Sequence, residues 1–412
     1  MGELGEMISK LDLVHGDPYM ELVLQQRIQP IFKVPNCIKE RNKKAYEPQM
    51  VSIGPYYYGK KHLIPMQVHK RRALIHFLRR QPNVPAESYT KKLKESVKEL
   101  RESYEQLELM ETWQDDDRFV QLMLVDGVFL LEFLSVMRGT QRSHDYANID
   151  PIFGERGHAL IYNSLKQDLL LLENQLPYQV LSILLSVSGV EEEAIDGALS
   201  WIMFAPRIDP GCHLLDMYMK GLLGGSGQQN EDQRINIVRH SASALHKYGV
   251  QFKTVGSYDE IRFNKSTATL KLPPFEINEY SISTFLNLKA YELRGDSNTK
   301  ELSSYIQLLD TLVESANDVS LLRSRGIIVS SLASDDAVVE VMKELKKDTL
   351  LDGNCNPSLV LKEVNEYVEG KPKWSWFLSY WRSIVGAATF LLVLTLLQTV
   401  YSILSFHLCK EK

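Results

Sequence analysis

The chain has 412 residues, 44% hydrophobic and 24% charged, with a formal net charge of −5. That balance excludes a chain too polar to bury a core, and its acidic sum supplies no global basic field for nucleic acid. The four cysteines, Cys37, Cys212, Cys355 and Cys409, lie far apart, which argues against a disulfide scaffold or a zinc module and fits a reducing compartment; no metal and no cofactor is expected.

The N-terminus, "MGELGEMISKLDLVHGD", has no apolar run and carries acids from the start, unlike a signal peptide. Glu6 stands where myristoylation of Gly2 wants serine or threonine. "MVSI" at 50–53 predicts a strand, and "GPYYYGK" at 54–60 a turn. Residues 66–80 predict a helix with Val68, Leu74, Ile75 and Leu78 on one face and bases opposite. A long helix is expected over 87–112, where Leu93, Val97, Leu100, Tyr104, Leu107 and Met110 recur at three and four. Residues 117–138 and 174–189 are more apolar and predict buried helices, with a break from Gly139 to about Pro151 between them. Further helices are expected at 236–248, 281–294, 299–314, 334–348 and 358–370. "EIRFN" (260–264) and "ATLKLP" (268–273), split by Lys265, Ser266 and Thr267, predict a hairpin. The glycine-rich stretch 221–234 reads as a flexible loop. The expected organisation is an N-terminal helical lobe over 1–222, a loop over 223–234 and a C-terminal helical lobe with a small hairpin over 235–380.

From Ile384 to Phe406 no residue is charged, a length of roughly 35 Å as a helix, enough to cross a bilayer core. Trp374, Trp376, Tyr380 and Trp381 precede it like an interfacial aromatic belt, with Lys371, Lys373 and Arg382 on the same side. A membrane anchor is therefore expected over 384–408, with Ile384, Leu391, Leu394, Leu397 and Phe406 in contact with lipid; the other reading is a buried core helix. Without a signal peptide the anchor implies tail insertion and a cytosolic body, with the plasma membrane preferred among membranes. Cys409 has the position of a prenylated cysteine, but Lys410 and Glu411 are not aliphatic. The expected fold class is mainly α: a large helical soluble body with a small β-hairpin and one C-terminal transmembrane helix.

"GPYYYGK" has the glycine and lysine spacing of a phosphate-binding P-loop. Lys61 replaces the magnesium-binding hydroxyl, Pro55 has no amide to donate, and Pro65 interrupts before the next helix. A turn whose tyrosines pack into the core accounts for it as well, so a nucleotide-dependent switch through Gly54–Lys60 stands only as an alternative. Asp126 and Glu132, and Asp168 and Glu173, are acids on apolar segments, fit either for catalysis or for pairing with bases of neighbouring helices. His213 and Asp216 are one helical turn apart, which serves acid–base chemistry or a helix cap; a hydrolase-type enzyme using these acids and His213 is the second alternative. No G-x-S-x-G or H-E-x-x-H accompanies them. The basic run "KRRALIHFLRR" (70–80) suits anionic headgroups, a partner, or simply water. The sequon at Asn264 matters only if the body faces a secretory lumen.

Several stretches in order resemble one family along essentially the whole chain: "IFKVP" (31–35), "YEPQMVSIGPYYYG" (46–59), Met66 with Lys70, "DGVFLLE" (126–132), "DLLLLENQLPYQVL" (168–181), "HLLD" (213–216), "GVQF" (249–252), "FLNLKAYE" (285–292) and "DVSLLRSRGII" (318–328). The sequence resembles the plant family called domain of unknown function 247. Its motif residues fall here on Gly54, Pro55, Tyr56, Gly59, Glu173, Asn174, Gln175 and Pro177. Tyr57 replaces a usual histidine, Gln67 a frequent acid, and a proline–tryptophan pair before the span is reduced to Trp381. If that histidine had a chemical role, this chain has lost it. The resemblance implies a mainly helical plant protein with a C-terminal transmembrane helix, no established enzyme activity and no catalytic residues to carry over. Some grass members of the family resemble pollen-side determinants of self-incompatibility that act by recognition. The expected function is thus that of a membrane-anchored, non-enzymatic protein acting by protein–protein recognition, in self-incompatibility or signalling. Its expected partners are membrane lipid and an unidentified protein, with no nucleic acid and no metal.

Overall fold

The computed structural model describes residues 29–137, 146–189, 211–223, 240–294, 300–347, 355–371, 389 and 391–400. They form two compact units. One holds the described residues of 29–223 together with 280–294; the other holds those of 240–279 and from 300 onward.

The first unit contains short helices α1 (Asn36–Lys39) and α2 (Lys43–Tyr46), then α3 (Ile64–Arg79), α4 (Ala86–Glu95), α5 (Val97–Glu102), α6 (Asp116–Met137), α7 (Glu155–Leu169), α8 (Tyr178–Ser188) and α9 (Leu214–Leu223). Helix α6 is apolar nearly all round, and a helix of that kind belongs at the centre of a fold. Phe119, Met123, Val128, Phe129, Leu130, Phe133 and Leu134 are all buried, with Ala73 and Phe77 of α3, Tyr89 and Leu93 of α4, and Val180 and Leu184 of α8 in the same core. Gly127 permits the close approach of α6 and α8: a Cβ there would stand 2.6 Å from Leu184 Cδ1.

Five expectations are corrected in this unit. The long helix over 87–112 is instead α4, α5 and 3-10 turns at Leu107–Leu109 and Glu111–Trp113, with breaks at Ser96 and at the left-handed Gln106 (φ +55°). The break frees backbone for the segment entering the unit: Ile31 N donates to Ser103 O at 3.0 Å, and Glu105 N to Ile31 O at 2.9 Å. On α3 the covered face is Met66, Lys70, Ala73 and Phe77, while Val68 and Ile75 are exposed. Leu74 and Leu78 of the expected face are half-buried against the core, and Lys70 is held inward by an acid of α6. "MVSI" joins no strand. Its amides are satisfied by side chains, as described below.

The helix expected at 174–189 begins only at Tyr178, because 170–177 is a non-helical crossing and Pro177 sits at the N-cap. Helix α11 (Ser281–Arg294) belongs to the first unit, not to the C-terminal lobe in which it was expected. The reason is polar: Ser283 Oγ and Asn287 Nδ2 both donate to Ala45 O of α2, at 2.6 and 2.8 Å.

The second unit begins with α10 (Ala242–Lys247) and the strands β1 (Gln251–Thr254), β2 (Arg262–Asn264), β3 (Thr269–Leu272) and β4 (Phe275–Ile277). It continues with α12 (Glu301–Leu312), α13 (Ala316–Ser324), β5 (Ile328–Ser330), α14 (Asp335–Lys346) and α15 (Asn356–Glu369). The hairpin is present as antiparallel β2 and β3, with Phe263 opposite Leu270. Strand β1 adds in parallel to β3, and β4 pairs in parallel with β5. Leu302, Ile306, Leu309, Val338, Met342, Leu345, Leu361 and Val364 are among its buried side chains from α12, α14 and α15.

Among the described residues, one helix is long and apolar enough to cross a membrane, and it is α6 itself, with 78% of its most apolar stretch buried in the protein. Toward the C-terminus the described helix is α16 (Leu391–Val400), about 15 Å long and too short by itself to span a bilayer. It carries Leu391, Leu394 and Leu397 of the expected anchor. Ile384 and Phe406, the belt from Trp374 to Trp381, Cys409, the N-terminal stretch and most of 221–234 lie outside the described residues.

Candidate functional site

Two short non-helical segments meet in the first unit, Val51–Gly59 before α3 and Leu170–Pro177 between α7 and α8. Neither is in a sheet or a helix, so their buried backbone groups need other partners. The motif side chains supply them. Asn174 accepts from Ile53 N through Oδ1 at 2.7 Å and donates through Nδ2 to Val51 O at 3.0 Å and Asp168 O at 2.8 Å. Gln175 Nε2 donates to Leu169 O and Leu171 O at 2.7 and 2.8 Å, while its Oε1 accepts from Leu215 N of α9 at 3.1 Å. Leu172 N, one residue before the motif, donates to Asn287 Oδ1 at 2.9 Å.

Acids close the rest. Asp168, at the end of α7, accepts from Gln49 N, Met50 N and Val51 N at 2.9, 2.6 and 2.8 Å. Burial pushes its carboxyl up to about 6, against the pull of those three amides. Asp126 of α6 accepts from Gly54 N at 2.8 Å and pairs with Lys70 Nζ at 2.5 Å, and Lys70 also donates to Ser52 O. Both side chains of that pair are fully buried. Desolvation pushes the lysine down and the carboxyl up, and the mutual attraction opposes both shifts.

Two of the three tyrosines are tied in by their hydroxyls. Tyr56 OH donates to Glu105 O at 2.7 Å. Tyr57 OH donates to Glu173 Oε2 at 2.7 Å and accepts from Lys39 Nζ at 2.7 Å. Glu173 also accepts from Lys39 Nζ at 2.7 Å and from Val34 N at 2.9 Å. Burial and the Glu173 charge raise the phenol of Tyr57, the opposite of what tyrosinate chemistry requires. Pro55 is buried, and Gly54 is left-handed (φ +72°) with its Cα against the crossing segment: a Cβ would stand 2.5 Å from Gln175 O. Gly59 (φ +81°) closes the turn in open space.

The structure thus brings together the motif residues that are distant in sequence. It gives each of the acids weighed for catalysis a bonded partner. Glu132 pairs with Arg80 and accepts from Tyr146 OH at 2.7 Å. His213 N-caps α9: its Nδ1 accepts from Asp216 N at 3.2 Å and its Nε2 donates to Pro30 O at 2.9 Å. Burial pushes its imidazole down to about 4, so it is neutral at pH 7. Asp216 returns the cap by accepting from Cys212 N at 2.8 Å, and pairs with Lys220 at 3.1 Å. The Gly54 amide that a P-loop would aim at phosphate is aimed at Asp126. Lys60 is exposed. Among the described residues no group of three or more His, Cys, Asp or Glu has a metal-holding arrangement. Sequence reasoning missed Lys39, Tyr57 and Asn287 as members of this network; an asparagine within the apolar "FLNLKAYE" helix was the available signal.

The sequence model of the family described as a plant protein of unknown function, DUF247, matches residues 31–399. The chain is 28% identical over 425 aligned residues to the UPF0481 protein At3g47200 of Arabidopsis thaliana, with 91% of this chain and 86% of that protein covered. It is 21% identical over 461 aligned residues to a second Arabidopsis thaliana UPF0481 protein, At3g02645, with 85% and 84% covered. No solved structure matches it.

Proposed function

The chain belongs to the DUF247 family of plant proteins of unknown function, and we propose that it works as a membrane-anchored, non-enzymatic recognition protein. The observation that carries the reading is helix α16. Leu391, Leu394 and Leu397 are 63%, 47% and 61% exposed, and Leu392, Val393, Leu396 and Val400 are exposed with them. The helix is uncharged, its only polar side chains are Thr395, Gln398 and Thr399, and none of the described residues covers its aliphatic side chains, which suits hydrocarbon as their surroundings. Recognition is supported by the state of the acids: Asp126, Glu132, Asp168, Glu173 and Asp216 each hold a backbone amide, a base or a phenol. A plasma-membrane site, with self-incompatibility or signalling as the setting, is part of the proposal.

Alkaline carbonate extraction of full-length protein from plant membranes tests the anchor. The protein is expected in the pellet, and the variant Leu391→Lys, Leu394→Lys, Leu397→Lys in the supernatant. Wild type in the supernatant would overturn the reading. Proximity labelling from an N-terminal tag then reports partner and compartment together.

A further inference from the structure

Helix α3 has a second face that the core does not use. Ile64, Val68, Arg71, Ile75 and Arg79 are all exposed and follow one another at intervals of four, three, four and four residues. That is the spacing of a seam on which one further helix lies, with β-branched Val68 and Ile75 one heptad apart. Ile64, Val68 and Ile75 are 51%, 67% and 48% exposed, although the opposite face of the same helix is fully packed. Exposed branched aliphatics in register along roughly 17 Å of rigid helix form an apolar ridge.

The ridge carries one sign of charge. From Gln49 to Ala86 there is no Asp or Glu, in a chain that is acidic overall. Of the bases in that stretch, Lys70 is held by Asp126, Arg72 by Asp150 and Arg80 by Glu132. Lys60, Lys61, Arg71 and Arg79 are exposed and have no partner among the described residues. Arg71 sits within the seam, between Val68 and Ile75, and Arg79 ends it.

We propose that this ridge is a docking surface for an acidic amphipathic helix of a partner protein. Aliphatic side chains of the partner lie against Ile64, Val68 and Ile75, and its carboxylates face Arg71, Arg79 and the Lys60–Lys61 end. A second copy of the chain fits poorly, because two such ridges would bring arginines together. An anionic bilayer would accept the charges but has no need of the heptad register, and the ridge has none of the Trp or Phe that interfacial helices insert. The proposal rests on the recognition reading above and names the surface and the partner chemistry.

The test places a photo-cross-linking amino acid at position 68 of the full-length protein in plant cells, with mass spectrometry of the adducts. The expected result is an adduct with another polypeptide through a peptide of net negative charge. Its yield should fall about tenfold in the Arg71→Glu, Arg79→Glu variant, as expected when charges steer and hold an interface. Both arginines are exposed, and the milder Arg71→Gln, Arg79→Gln pair should give a smaller drop in the same direction. Adducts within the chain, with a second copy, with lipid or with a net-basic peptide would each overturn the proposal, as would no adduct or a yield indifferent to the arginines. Carbonate extraction of the same cells reports the anchor separately, so loss of one reading does not hide the other.

Discussion

The carboxamide of Asn174 takes the place of a neighbouring strand for Ile53: its Oδ1 accepts from Ile53 N at 2.7 Å while its Nδ2 donates to Val51 O at 3.0 Å. A single side chain thereby satisfies alternate backbone groups of an extended segment, as a strand edge would. Its third bond, to Asp168 O, ties that segment to the end of α7. The motif around Asn174 is thus a clamp on the chain crossing, and its disturbance should first appear as lost stability.

Asn174→Ala should destabilise the first unit by about 3 kcal/mol or more, since it strands three buried backbone groups. Asn174→Asp should be nearly as costly, because a carboxylate would face two carbonyl oxygens. Thermal unfolding in mild detergent measures both; a loss below about 1 kcal/mol in each would contradict the clamp.

The two glycines of the turn should respond differently. Gly54→Ala meets Gln175 O at 2.5 Å on top of a left-handed backbone, and should abolish folding or lower the melting temperature severely. Gly59→Ala meets nothing within 4 Å and carries only the conformational cost, about 1–2 kcal/mol. Equal effects at the two positions would refute the close approach.

Lys70 and Asp126 should be non-additive. Lys70→Met or Asp126→Leu alone leaves a fully buried group unpaired and should cost about 3–5 kcal/mol. The double variant should recover part of that loss, although Gly54 N and Ser52 O then lack their partners. A double-mutant cycle with zero coupling energy would show the pair to be unimportant.

Asp168 and His213 should give opposite pH slopes. Burial raises Asp168 from 3.8 to about 6, so the folded protein keeps a proton that the unfolded chain releases. Its contribution to stability falls by roughly 3 kcal/mol as pH rises through that window. His213 is lowered from 6.5 to about 4, so the unfolded chain gains a proton that the folded one refuses. Its contribution is complete above the unfolded value and is lost, again by roughly 3 kcal/mol, as pH falls toward 4. The two nearly cancel in the wild type. Asp168→Asn should leave stability rising with pH across that range, and His213→Gln should leave it falling. Denaturant titrations at several pH values decide; parallel profiles for the two variants would disprove the assignment.

The local pattern of the sequence carried the helices, the hairpin and the family. Hydrophobic recurrence located α6, α11, α12, α14 and α15, and the split at Lys265–Thr267 located the β2–β3 turn. The same pattern misread "MVSI" as a strand and 87–112 as one helix, because backbone partners for those segments come from Asp168, Asn174 and Ile31, far away along the chain. It was half right about the face of α3, where Leu74 and Leu78 pack against the core but Val68 and Ile75 do not. Val68 and Ile75 looked like core and Lys70 like surface until Asp126 was placed opposite.

By itself, the sequence determined that this is a mainly helical plant protein of one family, since periodicity and ordered motifs are properties of neighbouring residues. Only the tertiary structure decided which groups the motif side chains bond. On chemistry alone Asp126, Asp168, Glu173 and His213 could bond many groups, and the choice lies in which of them approach within hydrogen-bond distance. Those groups are separated by tens to hundreds of residues, and burial makes each such pairing obligatory.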